Sequence, residues 1–121
     1  MTVLRLMTYN LRVAAERDEE PSWAARRDAV ASMIRFHNPD VVGVQEALPR
    51  MLADLDERLA AYDWVGTGRD DGDDEHCALL YRPDRVQLSR YDTFWLSETP
   101  GVPGSKNWGA SYPRIVTWAA V

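Results

Sequence analysis

Cysteine is nearly absent from this chain of 121 residues, because Cys77 is the only one. No internal disulfide is possible, so the fold does not depend on an oxidising compartment. The chain also lacks an apolar run of membrane-spanning length. Its first residues carry no basic segment followed by a long apolar stretch, so we expect no signal peptide and a cytoplasmic location.

Clustered positive charge is also missing. The chain has 14 Lys and Arg against 19 Asp and Glu, which gives a net charge of -5, and the basic residues are scattered. Non-specific binding of nucleic acid needs clustered Lys and Arg, so nucleic acid is possible as a partner but not favoured. An acidic balance is compatible with a metal-dependent enzyme, because the cation offsets carboxylates beside a phosphate.

A short β-branched run at residues 40–44 leads directly into Gln45 and Glu46. Such a run predicts a buried strand that delivers an amide and a carboxylate to its C-terminal end. A second predicted strand, residues 3–9, ends in the same way at Asn10. Open α/β sheets bind ligands beyond this edge, and amide and carboxylate oxygens suit a hard cation. From spacing alone, Asn10 also fits a turn residue that bonds its own backbone.

Hydrophobic spacing predicts two helices and six strands. The first helix follows Ser22, a suitable N-cap, and runs through residue 37, while the second runs from Pro49 to Ala61. The first strand is apolar on both faces, so we expect it to be central in its sheet. A polar loop is predicted at residues 16–21, and an acidic loop without EF-hand spacing at residues 67–75. The strands are predicted at residues 3–9, 40–46, 62–66, 76–82, 86–95 and 115–121.

Five stretches follow one another in a recognisable order: Thr8–Arg12, Asn38–Glu46, Glu75–Arg82, Thr93–Pro100 and Pro113–Trp118. Together they resemble the endonuclease/exonuclease/phosphatase family, the deoxyribonuclease I-like phosphoesterases. Each stretch alone is a weak match, but the five in order cover nearly the whole chain. An unrelated small α/β domain would have to match all of them by chance.

The resemblance implies an α/β (α+β) fold, namely half of a four-layer α/β/β/α sandwich. That half is one mixed β-sheet with helices on its outer face. The family domain is about twice as long as this chain, so we interpret residues 1–121 as its N-terminal half. The C-terminal half carries a His-Asp pair, a Gly-Asp-x-Asn motif and a closing Ser-Asp-His, and it is absent here. We expect a C-terminal half, a partner chain or self-association to cover the inner sheet face.

The resemblance also implies roles for single residues. Glu46 is expected to bind Mg²⁺ or Mn²⁺, with Asn10 near the metal and the phosphate. Glu75 is expected to orient a catalytic His that this chain does not contain. Arg114 is expected to contact the scissile phosphate through its fork of N–H donors. Simpler interpretations are an exposed carboxylate at a strand end for Glu46 and a surface residue beside a strand for Arg114.

The loop at residues 101–111 contains Lys106, Asn107 and Trp108. A cation and an aromatic ring in one loop suit the binding of a phosphate and of a base or sugar, so Asn107 and Trp108 are candidate substrate-binding residues. Trp108 fits equally well as a residue that pins the loop onto the body. We interpret His76 as a substrate-side or packing residue and not as a metal ligand.

These features predict a metal-dependent phosphoesterase, which hydrolyses phosphodiester or phosphomonoester bonds and is inactive as this half alone. The catalytic His and Asp of the family are missing from the chain, and a small phosphoester is a more suitable substrate than duplex DNA. The alternative is a non-catalytic binding or assembly module that retains the half-fold. The presence of Asn10, Glu46 and Glu75 at strand ends favours the enzyme, because a module without catalysis has no chemical need for them.

Overall fold

Each predicted strand and helix is present in the fold, with bounds that differ by a few residues. The computed structural model describes residues 3–14, 21–70 and 72–121. The elements in chain order are β1 (Leu6–Asn10), α1 (Trp23–His37), β2 (Val41–Ala47), α2 (Pro49–Arg58), β3 (Asp63–Val65), β4 (His76–Tyr81), β5 (Arg90–Trp95) and β6 (Ile115–Ala120).

Four strands form one mixed sheet in the order β1-β2-β4-β3. β1 runs parallel to β2, whereas β4 is antiparallel to both β2 and β3. The prediction that the first strand is central was wrong, because β1 lies at the edge of this sheet and Leu6 is 70% exposed. Apolar residues on both faces do not specify a neighbour on each edge, and the residues of β1 alternate between exposed and half-buried.

Both helices pack on the same face of this sheet, which confirms the predicted fold class. Alternate residues of β2 and β4 point to that face and are buried, because successive strand side chains project to opposite sides. The other face is only partly buried within the described residues, at Gly43, Cys77 and Leu79. The core is formed by Val30, Ala31 and Ile34 of α1, Met51, Leu52 and Leu55 of α2, and Val42, Val44, Ala78 and Leu80 of the sheet.

Local sequence explains where the helices begin and end. The Ser22 hydroxyl accepts a hydrogen bond from the backbone N–H of Ala25 at 3.3 Å, as expected for an N-cap. α1 ends at His37, and the C-cap residue Asn38 adopts a left-handed conformation with φ of 49°. α2 ends at Arg58 instead of the predicted Ala61, because Leu59 leaves helical geometry and begins a tight turn to the next strand.

β5 and β6 form a separate antiparallel sheet of two strands. β5 begins at Arg90 and not at the predicted Val86, because the Val86 N–H donates to the carbonyl of Arg82 at 3.0 Å and closes a turn. The two threonines at the centre of the pair, Thr93 and Thr117, lie opposite each other with their hydroxyls 3.1 Å apart.

Two predicted loops fall partly outside the residues that the structure describes. The polar loop at residues 16–21 is described only at Pro21, and the acidic loop at residues 67–75 is described except for Asp71. Neither of the two helices in the described ranges is long and apolar enough to cross a membrane.

Candidate active site

A cleft of about 700 Å³ opens beyond the C-terminal ends of β1 and β2. Four residues that the sequence analysis singled out line it together: Asn10, Glu46, Glu75 and Arg114. They come from four separate parts of the chain, and the parallel pairing of β1 with β2 brings the first two to one edge. The predicted position of a ligand site at this edge therefore coincides with a real concave surface.

Glu46 occupies an irregular position in β2. The pairing of β2 with β4 shifts register between Val44 and Ala47, as in a β-bulge, and Glu46 has a φ of 58°. A left-handed backbone is costly for a residue with a side chain, and bulges of this kind often re-aim a side chain beside a functional site. The Glu46 side chain is half-buried, and its Oε1 lies 3.5 Å from the backbone N–H of Val13.

Asn10 fits both interpretations of its sequence position, as a turn residue and as a residue of the ligand site. Its Oδ1 accepts a hydrogen bond from the backbone N–H of Arg12 at 2.9 Å, so Asn10 is a turn residue that bonds its own backbone two positions on. It also lines the cleft and pairs in register with Gln45. A carbonyl oxygen has two lone pairs, so this turn bond does not exclude contact between Oδ1 and a cation.

Glu75 has a partner that the sequence analysis did not identify. Its Oε2 lies 2.8 Å from Nη2 of Arg69, with 22% of the Glu75 side chain and 17% of the Arg69 side chain exposed. The backbone N–H of Arg69 donates to the carbonyl of Glu75 at 3.1 Å. This double connection fixes the two residues on one wall of the cleft.

Arg114 lies close to the exposed ring of Tyr112. The guanidinium carbon of Arg114 is 5.8 Å from the ring centroid, and that of Arg69 is 4.9 Å from the same centroid. Both distances fall within the range of a cation–π interaction. Sequence reasoning missed Arg69 and Tyr112, and the one available signal was the adjacency of Tyr112 to the Pro113-Arg114 pair.

Asn107 and Trp108 do not line this cleft. The Oδ1 of Asn107 accepts a hydrogen bond from the backbone N–H of Glu98 at 2.7 Å, which ties its loop to the turn after β5. Trp108 is 72% exposed and has a φ of 56°. A ring this exposed does not pin the loop onto the body, so the structure disfavours that interpretation of Trp108.

His76 and Cys77 form part of the cleft wall at the start of β4. His76 is buried, and its Nδ1 donates to the backbone carbonyl of Asp74 at 2.7 Å, so Nδ1 carries the proton. Its ring meets that of Trp64 edge to face, as expected of a packing residue. Burial, with a smaller contribution from the negative charge of Glu75, raises the pKa of the Cys77 thiol. Cys77 is therefore a poor nucleophile at neutral pH.

The donor set at the cleft suits a hard cation bound mainly through water. Asn10 and Glu46 offer an amide oxygen and a carboxylate, the ligand types that Mg²⁺ takes in small numbers. Across residues 3–14, 21–70 and 72–121, no group of three or more His, Cys, Asp or Glu side chains gathers for a metal. A closed structural site of the zinc type is therefore not formed by these residues.

The fold and the cleft together define an α/β protein with carboxylates and arginines at one sheet edge. Residues 7–118 match the Endonuclease/Exonuclease/phosphatase family, and the chain belongs to that family. Members of this family are phosphoesterases. No curated protein sequence matches the chain at a significant level.

Solved structures from bacteria resemble this chain over almost its whole length. The endonuclease/exonuclease/phosphatase from Bacteroides vulgatus is 40% identical with a TM-score of 0.91, over 96% of this chain and 45% of its own. A mannosyl-6-phosphatase from Bacteroides thetaiotaomicron is 43% identical with a TM-score of 0.90, over 97% of this chain and 45% of its own. The chain thus spans less than half the length of these relatives.

A more distant structure shares the fold alone. TDP2 from D. rerio, solved in complex with a single-strand DNA product, is 22% identical with a TM-score of 0.62. The match covers 80% of this chain and 37% of that protein.

Proposed function

We propose that this chain is the N-terminal half of a metal-dependent phosphoesterase domain. The observation that carries the proposal is the convergence of Asn10, Glu46, Glu75 and Arg114 on one cleft. The residues come from separate segments, so a common location is not a consequence of their closeness in sequence. The solved bacterial relatives, which are more than twice as long as the matched region, support the assignment as a half.

In this proposal, Glu46 and Asn10 hold a Mg²⁺ or Mn²⁺ ion at the edge of the sheet. When bound, the ion neutralises phosphate charge and lowers the pKa of bound water. The Glu46 carboxylate binds and positions the ion, and its left-handed backbone aims the side chain out of the regular strand direction. Arg114 binds the phosphate oxygens, where a guanidinium fork stabilises negative charge that develops during hydrolysis.

Glu75 has a positioning role in this proposal. Its carboxylate would accept a hydrogen bond from an imidazole supplied by the C-terminal half and so fix the tautomer of that base. The ion pair with Arg69 holds Glu75 in place for this contact. Since the base comes from the other half, the present chain does not hydrolyse phosphoesters by itself.

The substrate that we propose is a small phosphoester. The relative described as a mannosyl-6-phosphatase is 43% identical to this chain, which supports a sugar phosphate or a molecule of similar size. The net charge of -5 weighs against tight binding of duplex DNA. The alternative of a non-catalytic module stays a prediction, as does the cytoplasmic location.

Binding of Mn²⁺ tests the metal part of the proposal. Calorimetric titration of the 121-residue chain should show one Mn²⁺ site, and Glu46→Gln should weaken it by about tenfold or more, because one carboxylate ligand is lost. Glu57→Gln, an exposed change on α2, is the matched control and should bind Mn²⁺ like the unmodified chain. Equal binding by the Glu46→Gln variant would show that the ion lies elsewhere.

A hydrolysis assay tests the Glu46→Gln variant in a domain that is completed by a second half. The chain can be mixed with a separately produced C-terminal half of the Bacteroides thetaiotaomicron mannosyl-6-phosphatase and assayed on mannose 6-phosphate. The mixture should be active, each half alone should be inactive, and Glu46→Gln should lower the rate by about a hundredfold or more. An inactive mixture whose halves co-elute would contradict the proposal. Cleavage of plasmid DNA faster than that of mannose 6-phosphate would overturn the choice of substrate.

A further inference from the structure

Arg69 lines the cleft, and the role proposed above, an ion pair that holds Glu75 in place, uses only part of its donor capacity. Its guanidinium lies 2.8 Å from the carboxylate of Glu75, 3.9 Å from that of Asp74 and 4.9 Å from the ring centroid of Tyr112. A guanidinium has five N–H donors, and the contact between Nη2 and Glu75 leaves donors for another acceptor. Arg69 is therefore placed to bind a ligand without giving up its ion pair.

The backbone around Arg69 is held from several sides. Its N–H donates to the Glu75 carbonyl at 3.1 Å, and its own carbonyl accepts from Nε1 of Trp95 at 2.6 Å. The preceding Gly68 is packed so closely that a Cβ there would lie 2.5 Å from Oδ1 of Asp74. A side chain that starts from so constrained a backbone loses little conformational entropy when it binds a ligand.

Arg69 and Arg114 both approach the ring of Tyr112, at 4.9 and 5.8 Å from its centroid. Glu75 at 2.8 Å and Asp74 at 3.9 Å both offset the charge of Arg69, whereas Arg114 forms no ion pair with any residue that the structure describes. The charge of Arg114 is therefore not offset by an ion pair, and Arg69 adds a second fork beside the same aromatic ring. A guanidinium fork suits the oxygens of a phosphate, so two forks that line one cleft beside the same ring offer donors to an anion.

We infer that Arg69, Tyr112 and Arg114 form an anion subsite that selects the dianionic group of a phosphate monoester. The inference rests on the proposed function, in which Glu46 and Asn10 would hold the metal ion and Arg114 would bind the phosphate. A monoester presents three non-bridging oxygens and up to two negative charges, whereas a diester presents two oxygens and one charge. The subsite therefore gives a monoester a larger gain in binding than a diester.

Binding of simple anions to the metal-free 121-residue chain tests the inference. Inorganic phosphate and dimethyl phosphate are titrated by NMR at mildly alkaline pH, where phosphate is mostly a dianion. The unmodified chain should bind phosphate more tightly than dimethyl phosphate. Arg69→Met should weaken phosphate binding by about tenfold or more and remove most of that preference. Arg90→Met, which removes one exposed positive charge from β5, is the matched control and should change neither.

A second pair of variants avoids the half-buried ion pair of Arg69. Tyr112 is 55% exposed, so Tyr112→Leu should fold normally and weaken phosphate binding by roughly threefold through loss of the aromatic surface. Tyr112→Phe keeps the ring and should bind phosphate like the unmodified chain. The inference is overturned if the unmodified chain does not prefer phosphate, or if Arg69→Met and Arg90→Met give the same affinity. Because no metal is present, failure here is separate from failure of Mn²⁺ binding at Glu46.

Discussion

The four-stranded sheet and the two-stranded sheet differ in how they use apolar residues. On β2 and β4, every second side chain is buried beneath the helices, and Val42 and Val44 have no exposed surface. On β5 and β6, large apolar side chains remain accessible, among them Tyr91 at 56% and Trp118 at 38%. The first sheet therefore supplies the stability of the chain, and the second is held mainly by its backbone pairing and a few anchors.

The cleft lies where these two regions meet. Asn10, Glu46 and Glu75 belong to the four-stranded sheet or its edge, while Tyr112 and Arg114 precede β6. Trp95, a buried residue at the end of β5, bridges the regions through its hydrogen bond to the Arg69 carbonyl. A well-buried region that carries the proposed metal ligands is thus joined to a less buried region that carries the proposed phosphate-binding groups.

The largest expected effect is a difference between the two regions in the free energy of unfolding that a core substitution costs. Leu55→Ala removes a fully buried side chain of α2 and should lower the free energy of unfolding by about 2–5 kcal/mol. Leu96→Ala, next to β5, removes the same atoms from a residue that is 46% exposed and should cost less than about 1 kcal/mol. Urea denaturation of both variants measures the difference, and similar losses would contradict the division into two regions.

A smaller effect is expected at the connection between them. Trp95→Phe removes the N–H that donates to Arg69, leaves a carbonyl without that donor, and should cost about 1–3 kcal/mol. It should also weaken phosphate binding, because the backbone of Arg69 then loses one of the hydrogen bonds that hold it in place. Trp118→Phe, on the neighbouring strand β6 and 38% exposed, is the control for loss of an indole. Unchanged phosphate affinity in Trp95→Phe would mean that this bond does not position Arg69.

The smallest expected effect is a change in stability that appears only at acidic pH. Hydrogen bonds from the Arg85 side chain, and then from the backbone N–H of Arg5, hold the pKa of Asp40 below its usual value. The contribution of Asp40 to stability is therefore full above the pKa of an unfolded aspartate and is lost as pH falls through the lower folded value. Asp40→Asn should flatten the acid side of the stability profile relative to that of the unmodified chain. Thermal unfolding across acidic pH gives both slopes.

Much of the fold follows from local sequence. Ser22, Pro49 and Asn38 act on their own neighbours, so the beginning of each helix and the end of α1 could be predicted. The burial pattern of β2 follows from its β-branched residues. The edge position of β1 could not be predicted, because strand order depends on pairing between distant segments.

The residues of the candidate site also differ in whether the sequence predicts them. Asn10 and Glu46 lie at ends of strands, and strand ends are visible in the sequence, so their common location could be predicted. Arg69 and Tyr112 lie in loops whose positions depend on tertiary contacts such as the bond from Trp95. No periodicity identifies such residues. The candidate role of Asn107 in substrate binding stays a prediction, although its Oδ1 already bonds the Glu98 backbone.

The positive φ of Glu46 has a consequence for how this position changes over evolutionary time. The left-handed region disfavours any residue with a Cβ by roughly 1–2 kcal/mol, and glycine is the residue that occupies it most easily. A lineage under selection for stability alone would therefore drift toward glycine here. Glycine here would relieve the backbone but remove the carboxylate, so stability and the proposed metal site make opposite demands on this position.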